Sequence, residues 1–126
     1  MSASHRVLVV DDEPAIIFAL SEYLTVRGYE VDSALGLLDA EALLGVDADR
    51  YGVLVTDLSL GGRGGTEGLE LAALVRREHP RTRTVILTAY GSAEVEAAAQ
   101  RLGVDAFLHK PTPLGEIAQL LQHLTR

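Results

Sequence analysis

Val7-Leu8-Val9-Val10-Asp11-Asp12-Glu13-Pro14 is an apolar run that ends on consecutive acids and a proline. A short, continuously apolar run is the pattern of a strand buried on both faces of a parallel sheet. Pro14 suits the first turn of a helix, where its missing N–H costs nothing. The segment therefore reads as strand, acidic turn, helix. Gly28 is placed to end that helix with a left-handed cap. Within it Ile17, Leu20 and Leu24 recur at helical spacing.

The same alternation continues along the chain. Residues 53–55 and 85–87 are again continuously apolar, and residues 104–108 form a fifth run. Residues 31–35 are weaker, because Asp32 and Ser33 interrupt them, and suit a sheet edge. Helix-type stripes separate the runs, with Leu71, Leu74 and Val75 in a third helix and Leu114, Ile117, Leu121 and Leu124 in the last. The segment 93–102, with Ala97-Ala98-Ala99, predicts a fourth helix of shallow packing. Alternating strand and helix imply an α/β fold, a doubly wound parallel sheet with right-handed crossovers and helices on both faces. Residues 1–126 read as one domain.

Composition narrows the function classes. The 126 residues carry 18 acids against 11 bases, a formal net charge of −7. That argues against direct nucleic-acid binding or an anionic membrane surface, both of which need a basic face. No cysteine is present, which excludes disulfides, thiol catalysis and cysteine-bound zinc. No stretch approaches the roughly 18 apolar residues of a membrane helix, and the first residues lack the pattern of a signal peptide. The expected location is the cytoplasm. The basic set is lopsided, with ten arginines and a single lysine, Lys110.

In a doubly wound sheet, function sits at the carboxyl ends of the strands. The first strand delivers Asp11, Asp12 and Glu13 there, the third Asp57, the fourth Thr88 and Ala89, the fifth His109, Lys110 and Pro111. Each residue alone has an ordinary reading as a helix cap or a solvated tip. Together, carboxylates at one edge repel one another and must bind protons or a cation. Hard oxygen donors suit Mg²⁺, and the Ser59 carbonyl completes a candidate set with Asp11, Asp12 and Asp57. Asp57 is then a candidate nucleophile for an acyl phosphate. Phosphoryl transfer needs charge neutralised on the equatorial oxygens, a task for the ion, the compact ammonium of Lys110, and the Thr88 hydroxyl or the Ala89 N–H. A cis bond before Pro111 would fix where Lys110 points.

Val9-Val10-Asp11-Asp12-Glu13, Asp57, Thr88-Ala89 and Lys110-Pro111, in this order and spacing, resemble the receiver domain of two-component response regulators. The resemblance runs from about residue 6 to 124. It implies a five-stranded (βα)5 fold of strand order 2-1-3-4-5. It also implies Asp57 as phosphoacceptor, Asp11, Asp12, Asp57 and Ser59 as the Mg²⁺ site, and Lys110 as the phosphate-binding lysine. Thr88 would be the switch hydroxyl and Phe107 the switch aromatic. The implied partners are a sensor histidine kinase or phosphotransfer protein and a downstream effector domain or protein. A homodimer through the fourth helix, fifth strand and fifth helix is a further expectation. Such a domain is a signalling phosphoacceptor and not a turnover enzyme.

The chain departs from the family pattern in the Gly61-Gly62-Arg63-Gly64-Gly65-Thr66-Glu67-Gly68 loop. Gly61 stands where the family usually has proline, and Gly68 comes about three residues late. Thr112 follows Pro111 where phenylalanine is common. Other classes fit less well. A flavin mononucleotide site would meet repulsion from Asp11-Asp12-Glu13. An aspartyl phosphatase would want an acid where Ser59 stands. A phosphorylation-independent pseudo-receiver would have lost acids or the lysine, which are all present.

Overall fold

The computed structural model describes residues 5–46, 50–61 and 65–125. Its elements alternate as β1 (Arg6–Val10), α1 (Pro14–Val26), β2 (Glu30–Ala34), α2 (Leu37–Leu44), β3 (Val53–Thr56), α3 (Glu67–Glu78), β4 (Arg83–Thr88), α4 (Ala93–Leu102), β5 (Ala106–His109) and α5 (Leu114–Leu124). The strands form one sheet of order β2-β1-β3-β4-β5, and every pairing is parallel. The predicted architecture is the observed one, with the interrupted strand β2 at an edge.

Alternation along the strands sorts the core. Val7, Val9, Val53, Val55, Val85 and Leu87 face one side, where they pack with Leu20 and Leu24 of α1 and Ile117 and Leu121 of α5. Leu8, Val10 and Leu54 face the other, against Ala40 and Leu44 of α2 and Leu71 and Val75 of α3. Ile86 meets Leu58 and Ala99 in a smaller cluster, with Phe107 packed beside it. Ala99 is the sole buried residue of α4, which matches the shallow packing expected of its alanines.

Glycine decides where two helices stop. Gly28 and Gly103 take φ of +94° and +87°, the left-handed region that residues with a Cβ rarely adopt. After α1, the Gly28 N–H bonds to Thr25 O and the Tyr29 N–H to Leu24 O. After α4, the Gly103 N–H bonds to Gln100 O and the Val104 N–H to Ala99 O. Each pair of bonds is the doubly bonded helix end that favours glycine. It also explains one difference from the sequence pattern. Val104 continues the apolar run of residues 104–108, yet its N–H caps α4, so β5 begins two residues later at Ala106.

The register positions the site. Val10 pairs with Ala34 and Thr56, Thr56 with Ile86, and Thr88 with His109. The Asp57 N–H then bonds to Val10 O at 2.8 Å and the Asp11 N–H to Ala34 O at 3.1 Å. Asp11 and Asp57 thus leave the sheet at the same level on adjacent strands. Leu54 is fully buried at the centre of this sheet. Leu54→Ala should lower unfolding free energy by about 3 kcal/mol through lost burial and a cavity, read as a fall in the urea midpoint with unchanged slope.

Candidate functional site

Asp11 and Asp57 are almost completely buried, at 2% and 4% exposed, while Asp12 and Glu13 stand in solvent beside them. One carboxylate oxygen from each of the four comes within 4.8 Å of the others. Four formal negative charges so close need a counter-charge. Lys110 supplies part of it. Its ammonium donates to Asp11 Oδ2 at 2.7 Å and to Asp57 Oδ2 at 3.2 Å, and lies 3.5 Å from Glu13 Oε1. The lysine side chain is only 11% exposed.

The backbone aims Lys110 into this position. Its N–H bonds to Thr88 O at 2.9 Å, which carries the β4–β5 ladder one step past the strand. The Lys110–Pro111 peptide bond is cis, as expected from the sequence. Burial pulls the Lys110 ammonium down, but the Asp11 and Asp57 carboxylates outweigh it, and its pKa stays above the ordinary lysine value. Asp11 shows the opposite balance. Burial pushes its carboxyl up, and the bonds from Lys110 and the Glu13 N–H only partly offset this.

The remaining sequence candidates converge on the same edge. Ser59 is buried beside Asp57 and directs its N–H toward Asp57 Oδ1 at 3.5 Å. Thr88 is fully buried, and its Oγ1 accepts the Tyr90 N–H at 3.1 Å, which leaves the hydroxyl proton available to donate. Phe107 is half-buried at the α4 side of β5 and meets the His109 ring edge-on at 5.4 Å between centroids. Asp11, Asp12, Asp57, Ser59 and Lys110 therefore gather at one site, with Thr88 at the end of β4 on the same edge and Phe107 on neighbouring β5.

Two glycines and an acid shape this edge in ways the sequence reading did not assign. Gly68 packs directly under the phosphoacceptor candidate. A Cβ there would overlap the Asp57 carbonyl oxygen and come within 2.8 Å of the Leu58 Cα. Both are backbone atoms, so any larger residue would push β3 out of place. A Cβ on Gly91 would lie 2.8 Å from Phe107 Cε1, so this glycine makes room for the ring. Glu67 reaches back from the start of α3 and accepts the Leu60 N–H at 3.1 Å. The signal for Glu67 was an acid in the first turn of a helix after a glycine-rich loop. Gly62, Arg63 and Gly64 of that loop lie outside the described residues.

The donor set fits a divalent cation. It offers several carboxylate oxygens, two of them on exposed residues, and holds no nitrogen or sulfur ligand. Without such an ion, the ionised form of Asp11 opposes folding. Its folded pKa lies above the ordinary 3.8, so the folded state holds this proton more tightly than the unfolded chain. Stability from Asp11 is therefore lost as pH rises from the unfolded value through the folded one. In metal-free buffer at pH 7, Asp11→Asn should raise the melting temperature by a few degrees. The gain should vanish below the unfolded carboxylate pKa. Added Mg²⁺ should stabilise the wild type more than the variant.

Residues 7–122 match a family model described as the response regulator receiver domain. The chain is 35% identical over 121 residues to the transcriptional regulatory protein TcrA of Mycobacterium tuberculosis. That alignment covers 96% of this chain and 46% of TcrA, so the chain spans about half the length of this relative. A response regulator from Burkholderia pseudomallei, whose crystal structure has a phosphorylated aspartic acid, a calcium ion and citrate, superposes with a TM-score of 0.83. The identity is 30%, over 95% of this chain and 68% of that one. The beryllofluoride-activated NtrC4 receiver domain dimer, solved in solution, gives 0.84 at 29% identity over 96% of both chains. With this match over nearly its whole length, and with a parallel sheet whose edge gathers an acidic group and a lysine, the chain belongs to the response regulator receiver domain family.

Proposed function

We propose that residues 1–126 act as one receiver domain that takes a phosphoryl group onto Asp57. The observation that carries this reading is the buried Asp57 carboxylate, held 3.2 Å from the Lys110 ammonium inside a group of four acids. Asp11, Asp12 and Asp57, with the Ser59 carbonyl, are the residues to hold Mg²⁺. When bound, the ion supplies two positive charges where negative charge collects.

The donor in this reading is a phosphohistidine of a sensor histidine kinase or phosphotransfer protein. An Asp57 oxygen attacks phosphorus, the P–N bond breaks, and the imidazole leaves with the bonding pair. Lys110 steadies one equatorial oxygen as a compact point charge. The Thr88 hydroxyl, whose proton is available, donates to another once the phosphoryl group is in place. Movement of Thr88 empties space at the end of β4, and the half-buried Phe107 has that space to enter. Gly91 and the thinly packed α4 can follow at low energetic cost, since a helix with one buried residue has low local stability. The surface of α4, β5 and α5 is then the face that an effector domain or protein, or a second copy of the chain, reads as a two-state shift. The relatives supply parallel cases: one solved structure contains a phosphorylated aspartic acid, and another is a beryllofluoride-activated dimer.

Among the described residues no helix is long and apolar enough to cross a membrane. The reading places the domain in the cytoplasm, with catalysis limited to its own phosphorylation and dephosphorylation. Incubation with Mg²⁺ and acetyl phosphate should add the mass of one phosphoryl group. Asp57→Asn should abolish the gain; an unmodified wild type with Mg²⁺ bound would overturn the reading. Lys110→Arg keeps the charge but replaces a point with a flat fork. It should slow phosphorylation by about 10²-fold, the scale of losing one charge-stabilising donor.

A further inference from the structure

We propose that Glu67 is a positioning residue that grips the Leu60–Gly61 backbone and thereby holds the Ser59 carbonyl in place for the divalent ion. The proposal rests on the metal reading above and concerns how this chain's unusual loop serves it. Three successive residues after Asp57 are tied to the segment that opens α3. Leu58 O accepts the Gly68 N–H at 2.8 Å. Ser59 Oγ accepts the Gly65 N–H at 3.2 Å, and the Leu60 N–H donates to Glu67 Oε1 at 3.1 Å.

The glycines on either side of the loop are fitted to this carboxylate. A Cβ at Gly65 would overlap Glu67 Oε1, and one at Gly61 would lie 3.2 Å from Oε2. Its own backbone N–H, then that of Leu60 and also that of Gly61, hold the Glu67 carboxyl below its ordinary pKa. A proline at position 61 would have no N–H to offer and would itself stiffen the turn. Gly61 instead keeps its N–H, which bonds to the Glu67 carboxylate. The Glu67 side chain thus restrains a turn that glycine by itself leaves free. The Ser59 carbonyl lies in the peptide unit that also carries the Leu60 N–H, so fixing that N–H fixes the carbonyl.

The test compares Glu67→Ala, Glu67→Asp and Glu67→Gln with the wild type. In metal-free protein, amide exchange by NMR should speed at Leu60 and Gly61 in the Ala and Asp variants. Magnesium chloride titration by calorimetry should show Mg²⁺ affinity reduced by about 10–100-fold in both, the range for groups that orient metal ligands. At saturating Mg²⁺ the acetyl phosphate rate should return close to wild type, because Asp57 and Lys110 are untouched. Asp keeps the charge but loses the reach of one methylene, whereas Gln keeps the reach and one acceptor and should fall between. Wild-type affinity in the Asp variant would mean that charge alone matters and would overturn the proposal. So would wild-type exchange and affinity in the Ala variant. If Ala fails to fold, Gln carries the same comparison. A wild type that binds no Mg²⁺ would defeat the metal reading itself, and unchanged exchange at Leu60 would separately defeat the grip by Glu67.

Discussion

The Lys110 ammonium touches two buried carboxylates at once, 2.7 Å from Asp11 and 3.2 Å from Asp57. These acids leave neighbouring strands at one level, and a parallel sheet offers no local means of separating them. Two carboxylates held this close repel one another. A single cation at the end of β5 makes the pair tolerable, yet Asp11 still has its pKa pushed up by burial. The site is therefore short of positive charge by construction. A divalent cation is the species that makes up such a shortfall, and in the proposed reading a phosphoryl group would then take the place of a carboxylate as partner of the lysine.

The rest of the molecule serves that geometry. Two apolar layers, α1 with α5 and α2 with α3, pack β1 and β3 on both faces. The α4 side is held much less firmly, by Ala99 and a few half-buried neighbours. His109 adds one polar tie there, 3.5 Å from Glu96 of α4. In the proposed reading, the acceptor on the well-packed strands and the thinly packed face beside Thr88 and Phe107 would divide the work between receiving a charge and responding to it.

The sequence alone determined the order of elements, the edge position of β2, the residues at the strand ends and the lone lysine opposite the acids. These were legible because continuous short apolar runs, proline at a helix start and glycine at a helix end act locally. The start of β5 was misjudged by two residues, since Val104 is apolar but spends its N–H on the cap of α4. Only the tertiary structure decided which groups touch. It brought Lys110 to Asp11 across 99 positions, placed Gly68 under the Asp57 carbonyl, and turned Glu67 back onto Leu60. Such contacts depend on strand register and on the path of a loop, and neither leaves a periodic trace in the chain. The chemistry was written in residue types; its geometry came from packing, because only a folded sheet fixes the distances on which charge and hydrogen bonding depend.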